Sequence, residues 1–158
     1  MPTVVYFLDS SALVKRYIDE AGSWWIQQVL SHPPSAAMAE IGVVEVVAAF
    51  ARRWRMGEIT ADEYRFAREV FLRDAGHYQM VPTDRAVIEE ATELLDRHPL
   101  RAYDALQLAT ALRLSDVLAE EGLSLTHLRR CPPLFGCRAG GPRHGQPPSV
   151  RPNHRRTP

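Results

Sequence analysis

The sequence lacks several features that would mark a membrane or secreted protein. None of its apolar runs approaches the roughly 20 residues of a membrane-spanning helix. The N-terminus has neither the basic region nor the cleavage site of a signal peptide, so we expect a cytoplasmic protein with no membrane partner. The cysteines, Cys131 and Cys137, are separated by five residues. Zinc sites need more ligands at closer spacing, and nothing suggests the export that would favour a disulfide.

Acidic residues are absent from the C-terminal part of the chain. All 19 Asp and Glu lie within residues 1–125, together with 12 Lys and Arg, so this part carries a formal charge of −7. Residues 126–158 hold the other seven basic residues, seven prolines and both cysteines. We therefore predict one domain over residues 1–125 and a basic tail over 126–158. Its Pro and Gly content cannot support a packed core, and we expect this tail to be disordered.

Apolar patterning predicts alternating strands and helices within the domain. Residues 3–8 contain the run VVYFL, which is typical of a buried parallel strand, and further strand candidates are residues 35–39 and 78–81. Between them the apolar residues recur at helical spacing, and Thr60 and Glu63 match a capping box. The predicted helices cover about 10–19, 24–31, 41–55, 61–74, 85–97 and 101–120. This order predicts an α/β fold with a central parallel sheet flanked by helices.

Asp9 directly follows the first predicted strand and precedes Ser10 and Ser11. Open α/β sheets bind ligands at the carboxyl ends of their strands, where this acid is expected. A carboxylate buried there is costly unless it is paired, hydrogen-bonded or bound to a cation. The alternative interpretation is that Asp9 merely caps the following helix.

Two more acids stand in apolar helical segments. Glu45 has two valines on each side, so an ordinary solvated surface position fits it poorly. Asp104 lies near the start of another predicted helix, where the helix dipole alone would favour an acid. A strand end, a buried helix face and a helix start could meet at one point. The repulsion among three carboxylates would then be relieved by a cation such as Mg²⁺ or Mn²⁺.

The surroundings of these acids resemble those in PIN-domain ribonucleases. The segments that carry the resemblance are residues 6–15 (YFLDSSALVK), 43–46 (VVEV) and 100–109 (LRAYDALQLA). More narrowly, the order and spacing of these segments resemble the VapC-like toxins of type II toxin–antitoxin systems, over about residues 3–123. The resemblance implies a three-layer PIN-like fold and a Mg²⁺-dependent endoribonuclease, with Mn²⁺ as an alternative metal.

The resemblance also implies roles for individual residues and partners for the chain. By analogy, the catalytic acids that bind the metal are Asp9, Glu45 and Asp104. Ser10 or Ser11 would orient a metal ligand or contact phosphate. Glu40 stands where family members often have another acid, and the alternative is an ordinary surface residue. The implied partners are an RNA substrate, a cognate antitoxin that covers the acidic pocket or its groove, and a second copy of the chain in a homodimer.

The sequence departs from this family after Thr126. Family members continue with a fourth strand that carries a further acid and then with another helix, whereas no acid follows Glu121 here. We therefore expect the final strand and helix to be missing and catalysis to be impaired. One hypothesis is a shifted reading frame, because codons for residues 137–148, read one base later, can encode an ending typical of the family. The competing hypothesis is a basic arm that binds nucleic acid.

Other functions stay open at this level. A catalytically dead relative could bind only its antitoxin. A phosphatase could use Asp9 as its nucleophile, although that chemistry usually needs a second acid at the place of Ser11. The segment from Arg52 to Arg55 suits the C-terminal dipole of its helix, and gripping RNA phosphate is the alternative role.

Overall fold

The structure is a computed structural model that describes residues 4–31 and 35–128. These residues form four strands and six helices, close to the predicted boundaries for all but the last strand. In chain order the elements are β1 (Val4–Leu8), α1 (Ser10–Tyr17), α2 (Ser23–Val29), β2 (Ala36–Ala39), α3 (Glu40–Arg55), α4 (Ala61–Ala75), β3 (Gln79–Val81), α5 (Arg85–Arg97), α6 (Ala102–Glu120) and β4 (Ser124–Leu128).

The strands form one parallel sheet in the order β3-β2-β1-β4. β1 therefore has a partner on each side, and Phe7 lies opposite Ala37 of β2 and His127 of β4. Parallel strands point their carboxyl ends to the same edge of the sheet, so Asp9 follows a central strand at that edge. The predicted α/β fold with a central parallel sheet is confirmed.

The expectation that the fourth strand is missing is wrong. β4 pairs with β1 over its whole length, from Ser124 opposite Val4 to Leu128 opposite Leu8. Without β4 this edge of a central strand would have unpaired backbone N–H and C=O groups, and pairing with a second strand satisfies them. β4 also extends beyond the domain boundary predicted at residue 125. The helix expected to be missing and the predicted tail beyond β4 fall on residues 129–158, outside the described residues.

Helices cover both faces of the sheet. α1 to α4 pack on one face around a core that includes Leu8, Met38 and a cluster of edge-to-face aromatic rings formed by Tyr17, Phe50 and Phe71. On the other face α6 packs against alternate residues of β1 and β2, and α5 packs against α6. The result is the predicted three-layer arrangement. No helix in the described part of the chain has both the length and the apolar character to cross a membrane.

Side chains cap the N-termini of α4 and α5. Glu63 accepts a hydrogen bond from the Thr60 backbone at 2.7 Å, and its own N–H donates to the Thr60 hydroxyl, which forms the predicted capping box of α4. Asp84 caps α5 by accepting from the Val87 N–H at 2.9 Å. These caps fix where each helix starts.

Candidate active site

Asp9 lies at the junction of β1 and α1. It is the N-cap of α1, with its Oδ1 accepting a hydrogen bond from the Ser11 N–H at 2.8 Å. The predicted capping role is therefore present. The side chain is only 4% exposed, which is unusual for a helix cap that has no other task. Its position at the carboxyl end of a central strand places this carboxylate where α/β sheets bind ligands.

Glu45 reaches toward the same region from α3 and is half-buried. Its Oε2 accepts a hydrogen bond of 2.7 Å from Nε2 of Gln107, a residue of α6 that is 2% exposed. A hydrogen bond with the Ser10 side chain holds the same carboxylate. Glu45 is therefore attached both to α1, next to Asp9, and to α6, next to Asp104.

The predicted acids Asp9 and Asp104 act electrostatically on Glu45. Burial raises the pKa of the Glu45 carboxyl above its ordinary value of 4.5, and the negative charges of Asp9 and Asp104 raise it further. The hydrogen bonds from Gln107 and Ser10 act in the opposite direction because they stabilise the carboxylate. We call Asp9, Glu45 and Asp104 the acidic site: the charges of two of them act on the third, although Asp104 comes 59 positions after Glu45 in the printed sequence.

A groove of about 840 Å³ opens beside this acidic site. Ser10, Ser11 and Glu45 are part of its wall, whereas Asp9 and Asp104 are not. The rest of the wall comes from α1, from the exposed side of α3 and from the start of α6, and includes Arg101 and Tyr103. Glu45 is therefore the acid of this site that lines the groove.

Glu40 is not brought to the groove. It is exposed at the first position of α3 and is absent from the groove wall. Five positions separate it from Glu45, so at 100° per residue the two side chains leave the helix in clearly different directions. Its visible role is the favourable interaction of an acid with a helix N-terminus.

Ion pairs fix part of the groove wall. Glu20 pairs with Lys15, at 3.1 Å between Nζ and Oε1, and also with Arg53. Arg53 in turn lies 3.8 Å from an Oε2 of Glu58. These side chains connect the end of α1 with the last turn of α3. Two of the basic residues on the wall are consequently neutralised within the chain.

The donor chemistry of the acidic site fits a hard divalent cation. Its oxygens come from carboxylates and a hydroxyl, which Mg²⁺ and Mn²⁺ prefer, and the mutual repulsion of the acids favours a positive charge among them. A buried acceptor without a hydrogen-bond partner, Oε1 of Gln107, adds to this polar surrounding. Within residues 4–31 and 35–128, however, no three Asp, Glu, His or Cys side chains are close enough together to hold a metal ion.

Gln107 is the residue of this site that sequence analysis missed. A single amide in the apolar run of α6, three positions after Asp104, lies on the same side of the helix as that acid. That spacing is a usable signal, but it does not tell which residue of another helix the amide meets. Glycine at position 42 leaves room for the Gln107 side chain, because a Cβ at this position would lie only 3.2 Å from Gln107 Nε2.

The sequence model of the PIN domain family matches residues 6–122. The chain belongs to the PIN domain family. The matched range begins in β1 and ends just before β4, so it includes all three acids. The resemblance noted in the motifs is thereby confirmed for the family. No curated protein is significantly similar in sequence to this PIN domain.

Solved structures with the same fold include toxins and toxin–antitoxin complexes. VapC20 of Mycobacterium tuberculosis, a toxin that cleaves the sarcin–ricin loop, is 18% identical with a TM-score of 0.55, over 75% of this chain and 84% of its own. A toxin–antitoxin complex from Klebsiella pneumoniae is 17% identical with a TM-score of 0.51, over 76% and 82%. VapBC2 of Rickettsia felis, bound to a promoter DNA fragment, is 11% identical with a TM-score of 0.51, over 78% and 98%.

Proposed function

We propose that this PIN domain is a metal-dependent endoribonuclease of the toxin type, and that it belongs to a type II toxin–antitoxin pair. The observation that carries the proposal is Glu45, a half-buried carboxylate in the groove wall that Gln107 holds by a hydrogen bond of 2.7 Å and on which the charges of Asp9 and Asp104 act. Acids that repel one another and are held in place by buried hydrogen bonds lower the stability of the fold, so folding by itself gives no reason for this arrangement. Such an arrangement is characteristic of a functional site.

In the proposed reaction Asp9, Glu45 and Asp104 would hold Mg²⁺ or Mn²⁺. A bound Mg²⁺ would supply the acidity that turns a water into a nucleophile and the positive charge that the leaving oxygen of a phosphodiester needs. The chain's own contribution is positioning. Gln107 and Ser10 fix the Glu45 carboxylate by hydrogen bonds, and the Ser11 N–H fixes one oxygen of Asp9. Ser10 and Ser11 also face the groove, where phosphate oxygens of the substrate would lie.

The proposed partners are RNA, a cognate antitoxin and a second copy of the chain. RNA is supported by the likeness in fold to a toxin that cleaves the sarcin–ricin loop. An antitoxin is supported by the two toxin–antitoxin assemblies of the same fold. The antitoxin would cover the groove beside Glu45, because that is where substrate must enter.

RNA cleavage by the purified 158-residue chain tests the proposal. We expect cleavage with Mg²⁺ or Mn²⁺, none in EDTA, and none for Asp9→Asn, Glu45→Gln or Asp104→Asn purified in the same way. Glu40→Gln is the matched control, because it removes one carboxylate from the same helix as Glu45 without touching the groove. Equal cleavage by the wild type and all three site variants would refute the assignment.

A specific observation favours a second candidate, a PIN domain that binds its antitoxin but cleaves weakly or not at all. The acids of the described residues do not gather into a ready three-ligand metal site, and the further acid expected after the fourth strand is absent from the sequence. Under this alternative the chain would capture a cognate antitoxin with unchanged affinity in EDTA, while RNA stayed intact at every Mg²⁺ concentration.

A further inference from the structure

The positive charges of the groove fall into two groups. Lys15 and Arg53 are paired with Glu20, and Arg53 also lies near Glu58. The other two cations are Arg52, in the last turn of α3, and Arg101, the N-cap residue of α6. Both are exposed, and the ion pairs that join the groove's cations to acids among the described residues involve Lys15 and Arg53 instead. The groove thus presents two uncompensated guanidinium groups from two different helices.

Each of these two arginines lies on the same helix as one of the acids. Arg52 follows Glu45 by seven residues, which is two helical turns, so both project from the same side of α3 about 10 Å apart along its axis. Arg101 precedes Asp104 by three residues, or nearly one turn of α6. Each arginine is therefore fixed by its own helix relative to one of the acids. Tyr103, which is 50% exposed, lines the groove next to Arg101.

We propose that Arg52 and Arg101 form a phosphate-binding subsite for a single RNA strand that passes the acidic site, with Tyr103 as a stacking platform for one base. This subsite rests on the proposed function. A polyanion that approaches three carboxylates needs positive charge near them to offset the repulsion. Guanidinium groups bind phosphate oxygens through paired hydrogen bonds, and an exposed aromatic ring gives a base a surface to stack on.

The paired cations define the boundary of this subsite. Glu20 and Glu58 neutralise Lys15 and Arg53 and repel phosphate at that end of the groove. A strand is therefore directed between Arg52 and Arg101, across Glu45. The aromatic ring beside Arg101 favours RNA over an acidic polypeptide, because a chain of Asp and Glu gains nothing comparable from stacking.

RNA binding in EDTA tests the subsite without depending on cleavage. The probe is a fluorescein-labelled 12-nucleotide RNA of mixed sequence, and its affinity for the full chain is measured by fluorescence anisotropy over a range of NaCl concentrations. We expect Arg52→Gln and Arg101→Gln each to weaken binding about tenfold, since a charged hydrogen-bonded contact is lost. Each should also reduce the slope of log Kd against log salt by about 0.7, the contribution of one phosphate contact to a single strand.

Matched variants separate a subsite from a general effect of charge. Arg55→Gln removes the same charge from the same last turn of α3, but Arg55 is not part of the groove wall, so RNA affinity and slope should be unchanged. Tyr103→Leu should weaken binding and leave the slope as it is. Arg52→Lys should keep most of the slope while losing part of the affinity. Melting temperatures near the wild-type value show that each exposed substitution leaves the fold intact.

The outcomes for the subsite and for the nuclease are distinguishable. Equal losses in Arg55→Gln and Arg52→Gln would overturn the subsite, as would unchanged RNA binding in both Arg52→Gln and Arg101→Gln, or no RNA binding by the wild type. Polyglutamate that binds as tightly as RNA and responds to the same substitutions would also overturn it. RNA binding that depends on Arg52 and Arg101, in a chain that never cleaves RNA, supports the subsite and refutes the proposed nuclease activity.

Discussion

Nε2 of Gln107 lies 2.7 Å from Oε2 of Glu45 and joins α6 to α3 within the acidic site. The amide is buried under Gly42, where no Cβ fits without displacing it. Its nitrogen must face the carboxylate, because its oxygen would repel that group. The hydrogen bond therefore fixes both the direction of the Glu45 side chain and the distance between two helices that each carry a predicted metal ligand.

Gln107→Met should lower the affinity for Mg²⁺ by about 10–100-fold, the usual cost of losing a group that orients a metal ligand. Methionine has a similar volume and removes the amide, including the N–H that donates to Glu45. The measurement is the rise in melting temperature on titration with Mg²⁺ or Mn²⁺, which needs no cleavage. Asp116→Asn, which changes a polar side chain elsewhere on α6 by removing its charge, is the control. An unchanged half-saturating concentration would show that Glu45 needs no help from this amide.

Glu45→Gln should change the pH dependence of stability in EDTA. The pKa of Glu45 is raised in the folded state, so the native chain keeps a proton that the unfolded chain releases at lower pH. The free energy of unfolding must then fall as the pH rises from about 4.5 through the raised pKa. Glutamine lacks this titration and keeps an acceptor for Gln107. Urea unfolding between pH 4 and 8 should therefore show a smaller decline for the variant, and parallel curves would contradict the prediction.

Glu63→Gln should act in the opposite sense at the start of α4. Hydrogen bonds from the backbone and side chain of Thr60 lower the pKa of Glu63. The stabilising charge is present above the ordinary pKa of the carboxyl and is lost as the pH falls through the lowered value. The variant should be less stable than wild type at pH 7 and equal to it in acid. A stability difference that persists at the lowest pH would mean that the amide disrupts the capping box itself.

Chains that end after Leu128 and after Leu123 should differ in stability. The longer chain keeps all five residues of β4 paired with β1, whereas the shorter one loses the strand and the half-buried Leu125. We expect a melting temperature lower by roughly 10 °C for the shorter chain, since a domain of this size shifts by about 2–4 °C per kcal/mol. Equal melting temperatures would show that the β4 pairing adds nothing to the fold.

Local patterns were sufficient to predict most of the fold. β2 was correctly placed despite its weak strand propensity, because helix-stopping prolines precede it and the α3 periodicity follows it. β4 was missed because its own residues carry a weak signal. Whether residues 124–128 become a strand depends on the open edge of β1, which lies at the other end of the chain. Such a long-range pairing cannot be inferred from a short window of sequence.

The acids of the site were predicted from a family pattern rather than from physics alone. Nothing local in α3 or α6 requires Glu45 and Asp104 to approach each other. The ion pairs that change the charge of the groove are even harder to infer from the sequence. Glu20 and Arg53 form an ion pair between distant segments, so the sequence cannot tell that Arg53 is neutralised while Arg52, its neighbour, is not.

The position of β1 between β2 and β4 has a consequence for a chain growing on the ribosome. β1 and Asp9 are made first, but one edge of that strand stays without its partner until residues 124–128 have left the exit tunnel. α6, which brings Asp104 and Gln107, is also among the last elements to be synthesised. The long-range contacts that assemble the acidic site therefore form late. A growing chain therefore carries Asp9 and Glu45 without Asp104 and Gln107 until α6 has been made.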